Sequence, residues 1–395
     1  MQKYKLTKED ILLILSGMIK AGLIARGEYP DFIFRPGPLP PESRIGAQGL
    51  NLSDPEAKEL RRRAEEMFGG TLPERATLGE WAEGLHATRQ SSGREKIVFH
   101  TSGSTGEPKP NAHDHALLAR EIDCQKELYP QTKRIISFVF PQHIYGFLFT
   151  IMLPKALGCP ALSHPPFPSR KIIEDLRAND LVVGFPLFWD KLLDTGKQVP
   201  PGVRGVTSTA PCPGETILRL MENGFEKITE IYGSSETGGI GTRDHPDKPY
   251  TLLSCWNAPG PENPGHLTRE HPASRKTLSY PVPDAITWLG PDTFVPRGRT
   301  DSAVQVAGTN VYPKKIENIL LKHPKIRECS VRLMRPEEGF RLKAFIVPEG
   351  TKDPEELRRE LAAWIKKHLT AAEIPKKMDF GSELPKNAMG KIQDW

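Results

Sequence analysis

The sequence contains no C-x-x-C pair. Its five cysteines, Cys124, Cys159, Cys212, Cys255 and Cys329, are scattered along 395 residues, which points away from a zinc site or a disulfide frame and toward reduced thiols in a cytoplasmic protein. Long apolar runs are also missing. Ile11–Ile24 comes nearest, but Gly17, Lys20 and Gly22 interrupt it, and it falls short of the roughly 20 residues a membrane span needs. Lys8, Glu9 and Asp10 stand directly before it, where a secretory leader would not place acids. The stretch therefore reads as a helix capped near Thr7 with Asp10 in its first turn, and no membrane partner is expected. Zinc-finger, RNP and helix-turn-helix signatures are absent, so no nucleic-acid partner is expected either.

What is present suits a globular protein. A hydrophobic content of 37% with 26% charged residues is ordinary for one, and the length allows two or more domains. Residues 302–395 carry 18 Lys and Arg against 13 Asp and Glu, so the whole formal charge of +5 falls on them. Such a surface suits a polyanion, whether nucleic acid, the phosphates of coenzyme A or an acidic carrier protein, or is simply solvated.

One stretch stands out. After the β-branched and aromatic run Ile97–Phe99 comes H-T-S-G-S-T-G-E-P-K-P, residues 100–110. Gly103 and Gly106 let an anion approach the backbone, and Thr101, Ser102, Ser104 and Thr105 add hydroxyl donors before Lys109. This reads as a phosphate cradle or as a flexible Ser/Gly turn. It is not a Walker P-loop, because the lysine comes three residues after the last glycine and follows a proline.

T-S-G-S-T-G-E-P-K resembles the signature loop of the adenylate-forming superfamily, which holds acyl- and aryl-CoA synthetases, adenylation domains of peptide synthetases, and luciferases. Further stretches match that family in order. P-Q-H-I-Y-G-F, residues 141–147, is similar to the segment that gates the acid pocket and places His143 at the gate. S-T-A-P-C-P-G-E, residues 208–215, resembles the segment lining the adenine pocket. Ala210 and Pro211 fit, whereas Ser208 and Thr209 replace the usual glycines, and Cys212 reads as a wall residue. Y-G-S-S-E-T-G-G, residues 232–239, resembles the Y-G-x-T-E motif. The resemblance implies that Tyr232 stacks on adenine, Ser235 meets the α-phosphate and Glu236 holds Mg2+, roles that suit an aromatic face and a hard carboxylate.

Asp284 stands 15 residues before Arg299, the spacing of the family's ribose-binding aspartate, although Val282 and Pro283 replace its usual neighbours. G-R-T-D, residues 298–301, resembles the hinge, with Arg299 toward ribose or phosphate and Asp301 at the pivot. P-K-N-A-M-G-K-I, residues 385–392, resembles the final motif, which assigns the adenylation lysine to Lys391. The amino-terminal region is shorter than the family usually has.

The expected fold class is α/β: a large domain over residues 1–300 built on parallel sheets, and a small α+β lid over residues 301–395. The expected activity is ATP-dependent conversion of a small acyl or aryl carboxylic acid to an acyl-adenylate, followed by transfer to the thiol of coenzyme A or of a carrier-protein phosphopantetheine. The compact acid-AMP ligases of bacterial secondary metabolism are similar. Lys391, Glu236 and His143 would be catalytic, and His143, Phe147 and Gly233 would line the acid pocket. A fatty acyl-CoA synthetase and a non-catalytic adenylate-binding scaffold are the alternatives.

Overall fold

The computed structural model describes residues 3–47, 49–93, 95–101, 109–260, 265–282, 284–299, 303–306, 309–335, 338–339, 341–350, 354–385 and 395. Ser102–Gly106, Asp301 and Lys391 lie outside the described residues. Of Thr101, Lys109 and Arg299 only the backbone is described, each at a strand end. The chain divides into two compact units, one of residues 1–100 with 110–298, the other of 101–109 with 299–395.

The first unit opens with three helices, α1 Lys8–Ala25, α2 Asp54–Phe68 and α3 Leu78–Ser92. Thr7 caps α1 as its sequence suggests: Asp10 N–H donates to Thr7 Oγ1 at 3.2 Å, and Thr7 N–H donates to Asp10 Oδ2 at 2.7 Å. Two short strands, β1 Lys96–Thr101 and β2 Lys109–Asp114, pair with each other and lead into α4 His115–Gln125.

The chain then builds β3 Arg134–Ser137, β4 Ala161–Ser163, β5 Asp180–Gly184, β6 Arg204–Thr207 and β7 Lys227–Ser234. These five lie parallel in the order β4-β3-β5-β6-β7. Their side chains alternate between two cores. Ile135, Leu181, Val183 and Val206 face the core under the amino-terminal helices, whereas Ile136, Val182 and Ile228 face the core built by helices Arg170–Glu174, Pro186–Leu193 and Gly214–Glu222. A sheet covered on both faces needs such runs, apolar at successive positions. The apolar run Ile135–Phe140 continues beyond the strand, because β3 ends at Ser137 and the chain turns toward His143.

The sheet is not parallel throughout. β8 Gly238–Arg243, β9 Tyr250–Leu252, β12 Asp284–Trp288 and β13 Thr293–Arg299 extend it beyond β7 to nine strands, with the pairings β7–β8, β8–β9 and β9–β13 antiparallel. Between β9 and β12, β10 His266–Glu270 and β11 Thr277–Pro281 form a separate antiparallel pair. The large sheet is thus mixed: the expected parallel part runs from β4 to β7, and the turn between Ser234 and Gly238 is too short for a crossover, so β8 returns antiparallel to β7.

In the second unit, β14 Val304–Val306 pairs with β15 Thr309–Val311, and β16 Ile326–Leu333, β17 Leu342–Pro348 and β18 Lys377–Phe380 form a three-stranded sheet. Helix Pro354–His368 adds Leu357, Leu361 and Ile365 to a core that includes Val331, Leu342, Ala344 and Ile346. No helix among the described residues is long and apolar enough to cross a membrane.

Candidate active site

The carboxyl ends of parallel strands are where open α/β sheets present ligands, and three of the expected motifs lie at those ends. His143 follows β3 and is the residue before helix Ile144–Phe147. Tyr145 holds this helix start against the sheet: its hydroxyl lies 3.1 Å from Gly184 O and 2.9 Å from Val206 O, at the ends of β5 and β6. The His143 ring reaches solvent yet is surrounded by protein on most sides, and that crowding, with the positive charge of Arg63 on α2, lowers its pKa. Phe147 is different. It has no exposed surface and packs edge-on against Phe99 at 5.3 Å, so it belongs to the core behind the segment and lines no open pocket.

Ser208–Pro211 follows β6. Ser208 Oγ donates to Ile231 O at 3.0 Å, and Cys212 N–H donates to Glu230 Oε1 at 3.1 Å. Two bonds therefore tie this segment to β7. Glu230 is itself buried and paired with Arg243 on β8 at 2.6 Å. Thr209 takes a φ of +79°, a left-handed backbone where a β-branched residue is strained and a glycine would not be. Ala210 is half-buried and Pro211 exposed. Burial and the nearby Glu230 raise the Cys212 thiol pKa, which disfavours the thiolate that a nucleophile needs.

Y-G-S-S-E-T-G-G is a β-hairpin, its first three residues ending β7 and its two glycines opening β8. A bulge between Tyr232 and Gly233 interrupts the pairing, and bulges re-aim side chains. Gly233 is exposed and so tightly crossed that a Cβ there would lie 2.2 Å from Gly238 O. The Tyr232 ring packs against Phe294 at 5.5 Å and Tyr250 at 5.6 Å. Its hydroxyl donates to Asp284 Oδ2 at 2.5 Å. The residues expected to meet adenine and ribose are therefore bonded to each other. Ser235 is half-buried, and its carbonyl lies 2.7 Å from Nε2 of His113. Glu236 is exposed at the tip, and its carboxylate has no partner among the described residues.

Sequence reading missed the side chains beneath this hairpin. His113 is buried, and desolvation lowers its pKa to about 4, so it stays neutral and can donate to Ser235 O. Glu121 and Trp256 both bond Gly239, at 2.8 and 2.7 Å. The one signal was the Gly238–Gly239 pair, since adjacent glycines mark close approach of another group.

The sequence profile of the AMP-binding enzymes matches residues 52–262, and that of the AMP-binding enzyme C-terminal domain matches residues 315–391. The chain is 36% identical over 320 residues to a 4-coumarate–CoA ligase of Halorhodospira halophila, covering 80% of this chain and 79% of that protein. It is also 36% identical over 327 residues to a 4-coumarate–CoA ligase of Cereibacter sphaeroides, covering 81% and 76%. Among solved structures, o-succinylbenzoate CoA synthetase of Bacillus subtilis superimposes with a TM-score of 0.61 at 18% identity, over 75% of this chain and 67% of that one. A malonyl-CoA ligase gives a TM-score of 0.55 at 20% identity, over 73% and 71%. Both are similar to this chain in fold.

Proposed function

Because this chain belongs to the AMP-binding enzymes of the adenylate-forming superfamily, we propose that it joins a small aromatic carboxylic acid to coenzyme A. The coarse activity is the family's: it is an ATP-dependent, AMP-forming acid–thiol ligase. The aryl choice is supported by the relatives named as 4-coumarate ligases. Those names also favour coenzyme A over a carrier protein as acceptor.

The observation that carries the reading is the bond between Tyr232 and Asp284 beside Ser208–Pro211. It sets an aromatic face for a purine next to a carboxylate whose Oδ1, without a partner among the described residues, is free for ribose hydroxyls. Nucleotide held there presents its α-phosphate to the hairpin that carries Ser235. An oxygen of the acid attacks the phosphorus, the bond to the bridging oxygen breaks, and pyrophosphate leaves. The thiol then attacks the acyl carbon and AMP leaves. No protein nucleophile is needed, so the chain contributes positioning and charge. The family resemblance assigns Lys391 to the charge formed in the first step, Lys109 to the outer phosphates, and Asp301 to the pivot between the steps.

Glu236 suits a magnesium ion. Mg2+ is commonly held by one or two carboxylates together with substrate phosphates. A single exposed acid at the hairpin tip, unpaired among the described residues, fits that mode, and no cluster of three or more His, Cys, Asp or Glu side chains among those residues offers a protein cage. When bound, the ion would neutralise phosphate charge. A cytoplasmic setting is part of the proposal, supported by five cysteines that are all free thiols.

Pyrophosphate or hydroxamate release across a panel of aryl and alkyl carboxylates tests the reading. Cinnamate-type acids should be turned over, and thioester should form with coenzyme A. Turnover of long alkyl acids alone would replace the proposal with a fatty acyl-CoA synthetase, and no acid-dependent release with any member would favour a scaffold. Intact Glu236, Lys109 and Lys391 argue against the scaffold.

A further inference from the structure

The hairpin that carries Ser235 and Glu236 is held from below by side chains that take no part in the bond changes. Glu121 Oε1 accepts from Gly239 N–H at 2.8 Å, and Trp256 Nε1–H donates to Gly239 O at 2.7 Å. Both polar groups of one residue are thus held by two separate segments, α4 and the loop after β9. The fit excludes any side chain: Gly238 has a φ of +77°, and a Cβ there would lie 2.3 Å from Glu121 Oε2.

Glu121 is completely buried, and so, nearly, is Arg269 on β10. The Arg269 guanidinium lies 4.2 Å from the Trp256 ring centre and 4.6 Å from that of Tyr280, and neither its three nitrogens nor Glu121 Oε2 has a hydrogen-bond partner among the described residues. Stacking on two rings accommodates its faces but does not offset its charge. A guanidinium does not shed its proton to escape burial, so it requires an anion nearby. Glu121 is the buried acid whose ionisation Arg269 favours.

We propose that Glu121 is a buried positioning residue, supported by the Arg269 charge held against Trp256, and that the Glu121 carboxylate sets the Ser234–Gly239 turn and so aims Ser235 and Glu236 at the nucleotide. The inference rests on the nucleotide-site reading above. Burial pushes the Glu121 carboxyl up to about 7 against the opposing pull of Arg269 and of Gly239 N–H. Ionised, it accepts a charge-assisted bond from Gly239 and balances Arg269; protonated, it does neither as well. The other groups around it are Gln125 and Cys124 on α4 and Cys255 beside Trp256. The Cys255 thiol beside it draws the Cys124 thiol down from its ordinary value, so Cys124 is controlled for separately. His113, which Arg269 also influences, is held near 4.

The test measures the Kd of AMP for the full chain by calorimetry from about pH 5.5 to 8.5, beside hydroxamate formation with ATP. Wild-type affinity should rise roughly fivefold to tenfold through pH 7, the scale of one strengthened charged hydrogen bond. Glu121→Gln keeps the size and an acceptor for Gly239; it should bind AMP about tenfold more weakly and lose the pH dependence. Adding Arg269→Met removes the stranded cation and should restore affinity, still without pH dependence. Cys124→Ser should keep the wild-type profile.

Unchanged affinity and profile in Glu121→Gln, or further damage from Arg269→Met, would overturn the proposal. If Glu121→Gln alone does not fold, the double variant carries the comparison, and pH dependence surviving in it would overturn the proposal. If the wild type binds no AMP, the nucleotide reading fails by itself, and the role of Glu121 is judged by Tm. Relative to the double variant, the wild type should then lose stability between pH 4.5 and 7, where the raised carboxyl binds a proton only in the folded state. A Tm difference independent of pH would overturn that role.

Discussion

Tyr232 and Asp284, 52 residues apart in sequence, meet through a 2.5 Å hydrogen bond from the phenol to the carboxylate. The bond holds Asp284 by one oxygen and the Tyr232 ring by its far end. Tyr232→Phe should keep the stacking face and release Asp284, weakening AMP binding about threefold to tenfold, the scale of one net hydrogen bond. Asp284→Ala should cost more, because it also removes the ribose acceptor. Calorimetry with AMP measures both, and equal affinity in Tyr232→Phe would show that Asp284 needs no such support.

Thr209 holds a φ of +79° at the turn after β6. Thr209→Gly should stabilise the protein by about 1 kcal/mol, since a left-handed conformation costs a β-branched residue roughly that much beyond the added freedom of glycine in the unfolded chain. Thermal unfolding checks this. A lower Tm would mean that contacts of the threonine outweigh its backbone strain.

Glu236 is exposed and its carboxylate has no partner among the described residues. Glu236→Gln should leave the unfolding free energy within about 0.5 kcal/mol of wild type, as for most surface changes, and should raise the magnesium concentration needed for half-maximal adenylation. An unaltered magnesium titration would remove Glu236 as the metal ligand.

Lys391→Ala should slow adenylation by roughly 10² to 10³, the scale of losing one preorganised charge donor. Thioester formation from a supplied acyl-adenylate should be largely unaffected. Equal loss in both half-reactions would sink the assignment of Lys391 to the first step alone.

Acid should unfold the protein partly through His113. Burial lowers its pKa from 6.5 to about 4, so between those values the unfolded chain binds a proton that the folded one does not. Stability is therefore full above pH 6.5 and falls toward pH 4, by about 3 kcal/mol for this group. His113→Gln should remove that part of the acid sensitivity in chemical-denaturation curves taken across the window. The same slope in the variant would place the sensitivity elsewhere.

Local and near-neighbour chemistry was legible without a structure. Thr7 with Asp10 in the first turn marks a helix start, because the two residues stand three positions apart. The order of motifs from Thr101 to Lys391 identifies the family for a similar reason: each motif is contiguous. The family profiles agree.

Tertiary structure decided what depends on distant partners. Phe147 reads as a pocket wall in its motif, yet Phe99 on β1 claims its ring for the core. Arg269 sits in a stretch rich in Pro, His and charge, and Glu121 occupies a helix next to Arg120 and Asp123, where an acid normally faces water. Nothing within a turn of either residue reveals that α4 packs under β8 or that Trp256 and Tyr280 enclose the arginine. The antiparallel half of the sheet was equally hidden, because its short strands satisfy their backbone groups only through one another. Sequence determined which chemistry the chain carries; the register of β7 against β8, and what lies beneath it, decided how that chemistry is held.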